Sequence, residues 1–193
     1  MKVVLVNYGA GNIKSLQFAL ERLGVDGILS SDVTEIQDAG KVIFPGVGEA
    51  SSAMMKLKES GLDLIIPKLK QPVLGICLGM QLMCTHTEEG NTPSLGIFDV
   101  AVKRFDNDLK VPQMGWNTLE KIASPLFNTL DSETYMYSVH SYYAGLCKET
   151  IAQTTYGIPY SCALQKDNFY GVQFHPEKSS NAGSQLLSNF LAL

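Results

Sequence analysis

Histidine is scarce in this chain, with three residues in 193, at positions 86, 140 and 175. The four cysteines, at 77, 84, 147 and 162, form no C-x-x-C pair and no zinc-site spacing with the histidines. Those absences exclude a disulfide scaffold and a structural zinc fold, and leave free thiols in a reducing compartment. No run of Lys and Arg occurs, and 15 basic against 19 acidic residues give a net charge of −4. A nucleic-acid reader needs a basic patch, so no nucleic-acid partner is expected. No stretch approaches the roughly 20 apolar residues of a membrane span. The opening "MKVVLVNYGAGN" is too short in apolar length for a signal peptide. No membrane association and a cytoplasmic location are therefore expected. Internal repeats, low-complexity tracts and linkers are missing as well. What is present is ordinary globular composition, 45% hydrophobic and 18% charged, sufficient for one core and one domain over 1–193.

Short β-branched runs alternate with helical patterns. "KVVLV" (2–6) reads as a buried strand, followed by Ile13, Leu16, Leu20 and Leu23 at helical spacing, with Gly24 as a stop. "KVIF" (41–44) predicts a second strand, with a helix after "PGVGEA" to about Gly61. "PVLGI" (72–76) predicts a third, with a helix over 78–86. Repeated strand–turn–helix order implies parallel strands with helices on both faces of a sheet. Sites in such folds lie beyond the carboxyl ends of the strands, so 7–12, 45–49 and 77–81 should converge. From about 95 to 174, pieces such as "TYMYSVHSYY" and "FYGVQF", with turns at "DND" and "YGIPY", read as largely antiparallel strands extending the sheet. A closing helix spans about 182–191.

One stretch in that frame carries chemistry. "GICLG" (75–79) is the nucleophile-elbow pattern with Cys77 in place of serine, at the strand-to-helix turn the pattern requires. The glycines permit a sharp turn and close packing, and the helix N-terminus favours a thiolate. The N–H of Leu78 would lie beside a developing oxyanion. The competing reading is a small buried hydrophobe, which a free cysteine often is.

A base stands in "VQFHPEKS" (172–179). His175 and Glu177, two apart in an extended segment, would point to one face, the carboxylate fixing the tautomer of a histidine that takes the thiol proton. The alternative there is a surface turn with a capping glutamate. "FPGVGE" (44–49) can present backbone N–H groups to an anion, or be a plain strand-to-helix turn. "NYGAGNIKS" lacks the third glycine of a dinucleotide fingerprint, which excludes NAD. With no phosphate loop and no metal-ligating cluster, no cofactor and no metal are expected. His86 and His140 read as structural or supporting, and Cys84, Cys147 and Cys162 as packing.

"PGVG", "GICLGMQ" and "QFHPEKS" together resemble the class I, triad-type glutamine amidotransferases. "YGAGNIKS", "PQMGWN" and "HSYY" narrow the resemblance to the glutaminase subunits of imidazole glycerol phosphate synthase. It runs from residue 6 to about 180. It implies an α/β, single-domain, flavodoxin-like fold with a mixed central sheet flanked by helices. It also implies hydrolysis of L-glutamine by a catalytic triad of Cys77, His175 and Glu177 through a γ-glutamyl thioester. Val47, Gly48 and Leu78 match the oxyanion hole, whose PGVG strand can sit in a non-productive orientation until the partner engages. Gly46, Gln81, Glu89, Ser141 and Tyr142 match positions around bound glutamine. The implied partner is a cyclase subunit built as a (β/α)₈ barrel, forming a heterodimer. It would receive the ammonia and make imidazole glycerol phosphate and AICAR from a phosphorylated ribulosyl substrate in histidine biosynthesis. Asn12, Trp116, Asn117, Tyr137 and Lys178 match positions at or near that interface. Asn7 departs from the family, which commonly has Asp there.

Two other classes compete. A stand-alone cysteine hydrolase, such as a γ-glutamyl hydrolase or peptidase, would need neither "PQMGWN" nor a partner. A silent binding subunit would not need Cys77, His175 and Glu177 intact.

Overall fold

The computed structural model describes residues 1–9, 13–106 and 108–193. The first half is the expected strand–helix alternation: β1 (Val3–Val6), α1 (Ile13–Glu21), β2 (Gly27–Ser30), α2 (Val33–Gln37), β3 (Lys41–Gly46), α3 (Ala50–Glu59), α4 (Leu62–Ile65), β4 (Val73–Cys77) and α5 (Leu78–Leu82). The second half runs β5 (His86–Thr87), β6 (Thr92–Pro93), β7 (Ala101–Arg104), β8 (Gln113–Thr118), β9 (Tyr135–His140), β10 (Tyr142–Ala144), β11 (Thr150–Tyr156), β12 (Ile158–Lys166), β13 (Phe169–Val172) and α6 (Ser180–Ala192).

The sheet order is β2-β1-β3-β4-β13-β12-β10-β7-β5-β6, with β11 hydrogen-bonded to β12. The first five strands are parallel, and β12, β10 and β7 follow antiparallel. Apolar runs form the central strands because both faces are covered. Val4, Val6, Val42 and Phe44 pack against α3 and α5, while Val3, Leu5 and Ile43 pack against α1 and α6. Leu57 and Met80 close the first layer, and Leu16, Leu20 and Phe190 the second, all at most 2% exposed. Each such side chain contributes roughly 1.5–3 kcal/mol by leaving water.

Several expectations shift in detail. Strand β2 and helix α2 fall in a stretch where the sequence pattern shows neither. Of the late strands, β13 runs parallel to β4 rather than antiparallel, and β8 and β9 form a separate two-stranded sheet. The helix predicted over 78–86 stops at Leu82. The carbonyls of Leu82, Met83 and Cys84 are instead taken by the N–H groups of residues 95–98. Cys84 is thus buried just beyond the helix rather than on it. The turn in "YGIPY" is the β11–β12 hairpin, with Gly157 at φ 71°; that in "DND" includes Asn107, outside the described residues. Among the described residues, no helix is long and apolar enough to cross a membrane.

Candidate active site

The carboxyl ends of β3, β4 and β13 are neighbours in the sheet, so "PGVG", "GICLGMQ" and "QFHPEKS" meet there. Of the 7–12 segment expected to join them, Tyr8 contacts Pro45, and residues 10–12 lie outside the described residues. Cys77 ends β4 at φ 53° and ψ −111°, a backbone region that L-residues adopt only under strain. That turn lets α5 begin at the next residue, and its tightness depends on Gly79. A Cβ at 79 would lie 1.9 Å from the Phe44 carbonyl oxygen of β3.

His175 and Glu177 come together by a different local route from the one the spacing suggests. Residues Pro176–Lys178 form a single 3₁₀ turn with Pro at its first position, rather than an extended segment. The pair still meets: His175 Nδ1 is 2.8 Å from Glu177 Oε1, and both side chains are at most 5% exposed. Burial opposes charge on His175, but its hydrogen bonds and charge interactions with Cys77 and Glu177 outweigh it and raise its pKa to about 10. An imidazolium flanked by a carboxylate on one side and a sulfur on the other is the arrangement that holds a thiolate.

Cys77 and His175 border a cavity of about 300 Å³, with Glu177 behind the histidine. Val47, Gly48, Leu78, Gln81, Glu89, Ser141 and Tyr142 line it as well. Gly46 does not; it is buried against the elbow, where a Cβ would meet Gly79 N at 2.6 Å and Leu78 Cβ at 2.8 Å. The segment of Val47 and Gly48 is anchored at both ends. Tyr8 Oη donates to the Pro45 carbonyl at 2.9 Å, and Gly46 pairs with Cys77 in the ladder. Downstream, the Ala50 N–H that opens α3 donates to Glu89 Oε2 at 2.9 Å. Burial, with Glu49 nearby, raises the Glu89 pKa despite that bond. Gly48 between the anchors has φ 101° and open space around it.

Lys178 reaches the cavity wall, and Trp116 and Tyr137 pair across β8 and β9 on the opposite face of that ribbon from His140. Trp116 is 50% exposed, with its ring centroid 5.8 Å from that of Tyr137. Exposed Met114 and Tyr135 extend the same face. Asn117 points the other way, accepting from Gln113 Nε2 at 2.6 Å. Asn12 lies outside the described residues. Asn7 Oδ1 accepts from the Gly9 N–H at 3.2 Å, a bond that an Asp would make equally.

Four groups at the cavity or beside Cys77 are given no catalytic role by the sequence motifs, although Pro112, His140 and Gln173 open "PQMGWN", "HSYY" and "QFHPEKS". Val139 and Pro112 line it, and the Val139 carbonyl is 3.9 Å from Cys77 Sγ. His140 lines it too, with its pKa lowered to about 4 by burial and its Nδ1–H donating to Tyr142 O at 2.7 Å. Gln173, fully buried, places Nε2 3.6 Å from Cys77 Sγ. Its position two residues before His175 is the one signal the sequence offers for it. Among the described residues no three His, Cys, Asp or Glu side chains group closely enough to hold a metal ion.

The family model of glutamine amidotransferase class-I matches residues 4–193. Imidazole glycerol phosphate synthase subunit HisH of Bacteroides fragilis strain YCH46 is 55% identical over the full length of both chains. Subunit HisH of Bacteroides thetaiotaomicron is also 55% identical, and that of Pectobacterium atrosepticum 48%, both at full coverage. Among solved structures, a glutamine amidotransferase superposes with a TM-score of 0.77 at 18% identity, over 98% of this chain and 97% of that one. PurLQS from Thermotoga maritima gives 0.75 at 16%, over 100% and 99%; both likenesses concern the fold alone. With the elbow, the buried His–Glu pair and these full-length relatives in hand, the chain belongs to the class I glutamine amidotransferases, in the family of imidazole glycerol phosphate synthase HisH subunits.

Proposed function

We propose that Cys77 attacks the side-chain amide of L-glutamine and that the ammonia released passes to a cyclase subunit built as a (β/α)₈ barrel, which completes imidazole glycerol phosphate synthesis. The observation that carries this reading is the strained Cys77 beside the buried pair of His175 and Glu177 at one cavity. His175, charged by its partners, hands its Nε2 proton to the departing amide nitrogen as the C–N bond breaks, leaving a γ-glutamyl thioester on Sγ. The neutral imidazole then takes a proton from water, whose oxygen attacks the thioester and releases glutamate and the thiolate. Glu177 holds Nδ1–H throughout, so Nε2 faces the reaction.

Each addition builds negative charge on the amide oxygen, next to Leu78 at the start of α5 and to the segment of Val47 and Gly48. Gln81, Glu89, Ser141 and Tyr142 line the outer pocket, where the amino-acid end of glutamine would sit. Free ammonia is mostly protonated at neutral pH and then no longer nucleophilic, which is the physical reason for a closed transfer to a partner. The exposed Met114, Trp116, Tyr135 and Tyr137 face, with Lys178 beside the cavity, supports the partner's position.

The decisive measurement is glutamate release by the chain alone and with its liganded cyclase subunit, repeated with Cys77→Ala. The variant should lose glutamine-dependent turnover and keep turnover of the complex with added ammonia. Loss of both would make Cys77 structural. Full activity of the wild-type chain alone would argue for a stand-alone hydrolase.

A further inference from the structure

We propose that Gln173 is a catalytic hydrogen-bond donor to the Cys77 sulfur, aimed by a relay that starts at the backbone carbonyl of Tyr142, a residue of the cavity wall, and passes through Gln81. The inference rests on the reading of Cys77 as the nucleophile and adds what holds its thiolate.

The direction of every bond in the relay follows from one fixed point. The Tyr142 carbonyl can only accept, and Gln81 lies 2.9 Å from it, so the amide end of Gln81 at that contact is the NH₂ group. That same nitrogen is 2.9 Å from the end of Gln173, which must therefore be the carbonyl oxygen. The other end of Gln173 is then NH₂, and it faces Cys77 Sγ at 3.6 Å. Turning either amide over would set oxygen against oxygen or NH₂ against NH₂ between side chains almost closed to water: Gln81 is 4% exposed and Gln173 0%.

The sulfur thus sits between two opposite preferences. The Val139 carbonyl, 3.9 Å away, suits S–H, whereas the Gln173 N–H suits S⁻. Cys77 is only 7% exposed, so water contributes little to a thiolate there, and the charge must be held by protein donors. His175 is one; it leaves the sulfur when it gives up its proton to the leaving group. Gln173 does not titrate and keeps its N–H in place through both halves of the reaction. Because the relay begins on the pocket wall at Ser141 and Tyr142, a shift of that wall on binding or releasing substrate redirects the donor on the nucleophile.

The test is the pH dependence of Cys77 alkylation by iodoacetamide on the intact chain, followed by mass spectrometry of the Cys77 peptide. It needs no glutamine turnover, so it is independent of whether the proposed glutaminase reaction holds. Burial pushes the thiols of Cys84, Cys147 and Cys162 up, and the Cys77 peptide is read separately from theirs. The titratable groups facing Cys77 are His175, with Glu177 behind it, Tyr8 after β1 and Tyr160 on β12, and His140, Glu89 and Lys178 line the same cavity. They are unchanged in Gln173→Met and Gln81→Met, and Gln173→Glu adds one carboxylate to them.

Gln173→Met, similar in size and without a donor, should raise the alkylation midpoint by about one pH unit. Gln173→Glu, which sets a carboxylate against the sulfur, should raise it further. Gln81→Met, which frees Gln173 to turn, should shift it the same way by less, and serves if the position-173 variants do not fold. Folded variants whose midpoints match wild type overturn the proposal, even if they are less stable, since packing alone would lower stability and leave the midpoint in place. A raised midpoint in a chain that releases no glutamate even with the liganded cyclase subunit would uphold the donor and remove the glutaminase reading.

Discussion

Gly79→Ala puts one methyl group where the structure leaves no room. The added Cβ would sit 1.9 Å from the Phe44 carbonyl oxygen, and ordinary contact begins at 3.4 Å, so helix α5 and strand β3 must part by about 1.5 Å. Phe44 lies in a strand paired on both sides, and neither it nor the helix start can give cheaply. Overpacking of this kind costs roughly 1–3 kcal/mol, here at the upper end because the obstacle is backbone. For a chain of this length that is a fall in Tm of about 5–10 °C. The displacement also moves the Leu78 N–H and Cys77 relative to Val47 and Gly48, and a misplacement near 1 Å is worth about a hundredfold in rate. Gly145→Ala is the matched control, since a Cβ there meets nothing within 4 Å. Thermal melts followed by CD, with glutamate release measured in the liganded complex well below the melting point, separate the two effects. A Gly79→Ala protein with wild-type Tm and turnover would refute the argument that the elbow is wedged against β3.

The raised His175 pKa makes a statement about alkaline stability. Its proton is retained to about pH 10 in the folded chain and released near 6.5 in the unfolded one. The associated stability is therefore complete below about 6.5 and is lost as pH rises through 10. Glu177→Gln keeps an acceptor for Nδ1–H but removes its charge, so urea melts should show a smaller loss between pH 7 and 10 than wild type, by about 1 kcal/mol; superimposable curves would contradict the assignment. Trp116→Ser should leave unfolding free energy within about 0.5 kcal/mol, because the ring is half exposed, yet weaken binding of the cyclase subunit by tenfold or more in a titration. Unchanged affinity would take that face out of the interface. Lys178→Ala should reduce partner-stimulated glutamate release while leaving Tm unchanged, and equal release with and without the substitution would exclude it from coupling.

The site is legible in the sequence where chemistry and local backbone coincide. Glycines 75 and 79 around a cysteine can hardly serve anything but a tight strand-to-helix turn, and β1, β3 and β4 announce themselves because burial on both faces demands continuous apolar runs. Strand β2 does not, because it lies at the sheet edge: Ile28 and Leu29 are 39% and 40% exposed, so its four residues carry no clear pattern. Strand direction is likewise absent from side-chain periodicity, and β13 reads like its antiparallel neighbours although it lies parallel to β4. The early end of α5 depends on backbone acceptors taken by residues 95–98, a tertiary competition that no local window contains. Gln173 is hidden for another reason. A neutral amide carries no motif of its own, and only the directions of three buried bonds give it a role.

The two anchors around the segment of Val47 and Gly48 have a thermodynamic consequence. With Pro45 and Gly46 held against Tyr8 and the elbow, and Ala50 held by Glu89, only Val47, Gly48 and Glu49 remain free to turn, and all three are already in contact with solvent. Reorienting a peptide group there exchanges hydrogen-bond directions while transferring almost no apolar area. Such a change leaves heat capacity and denaturant sensitivity where they were, since both track exposed surface. Calorimetry would pass over it, and the signal would lie instead in the chemical shifts of the Val47 and Gly48 amides.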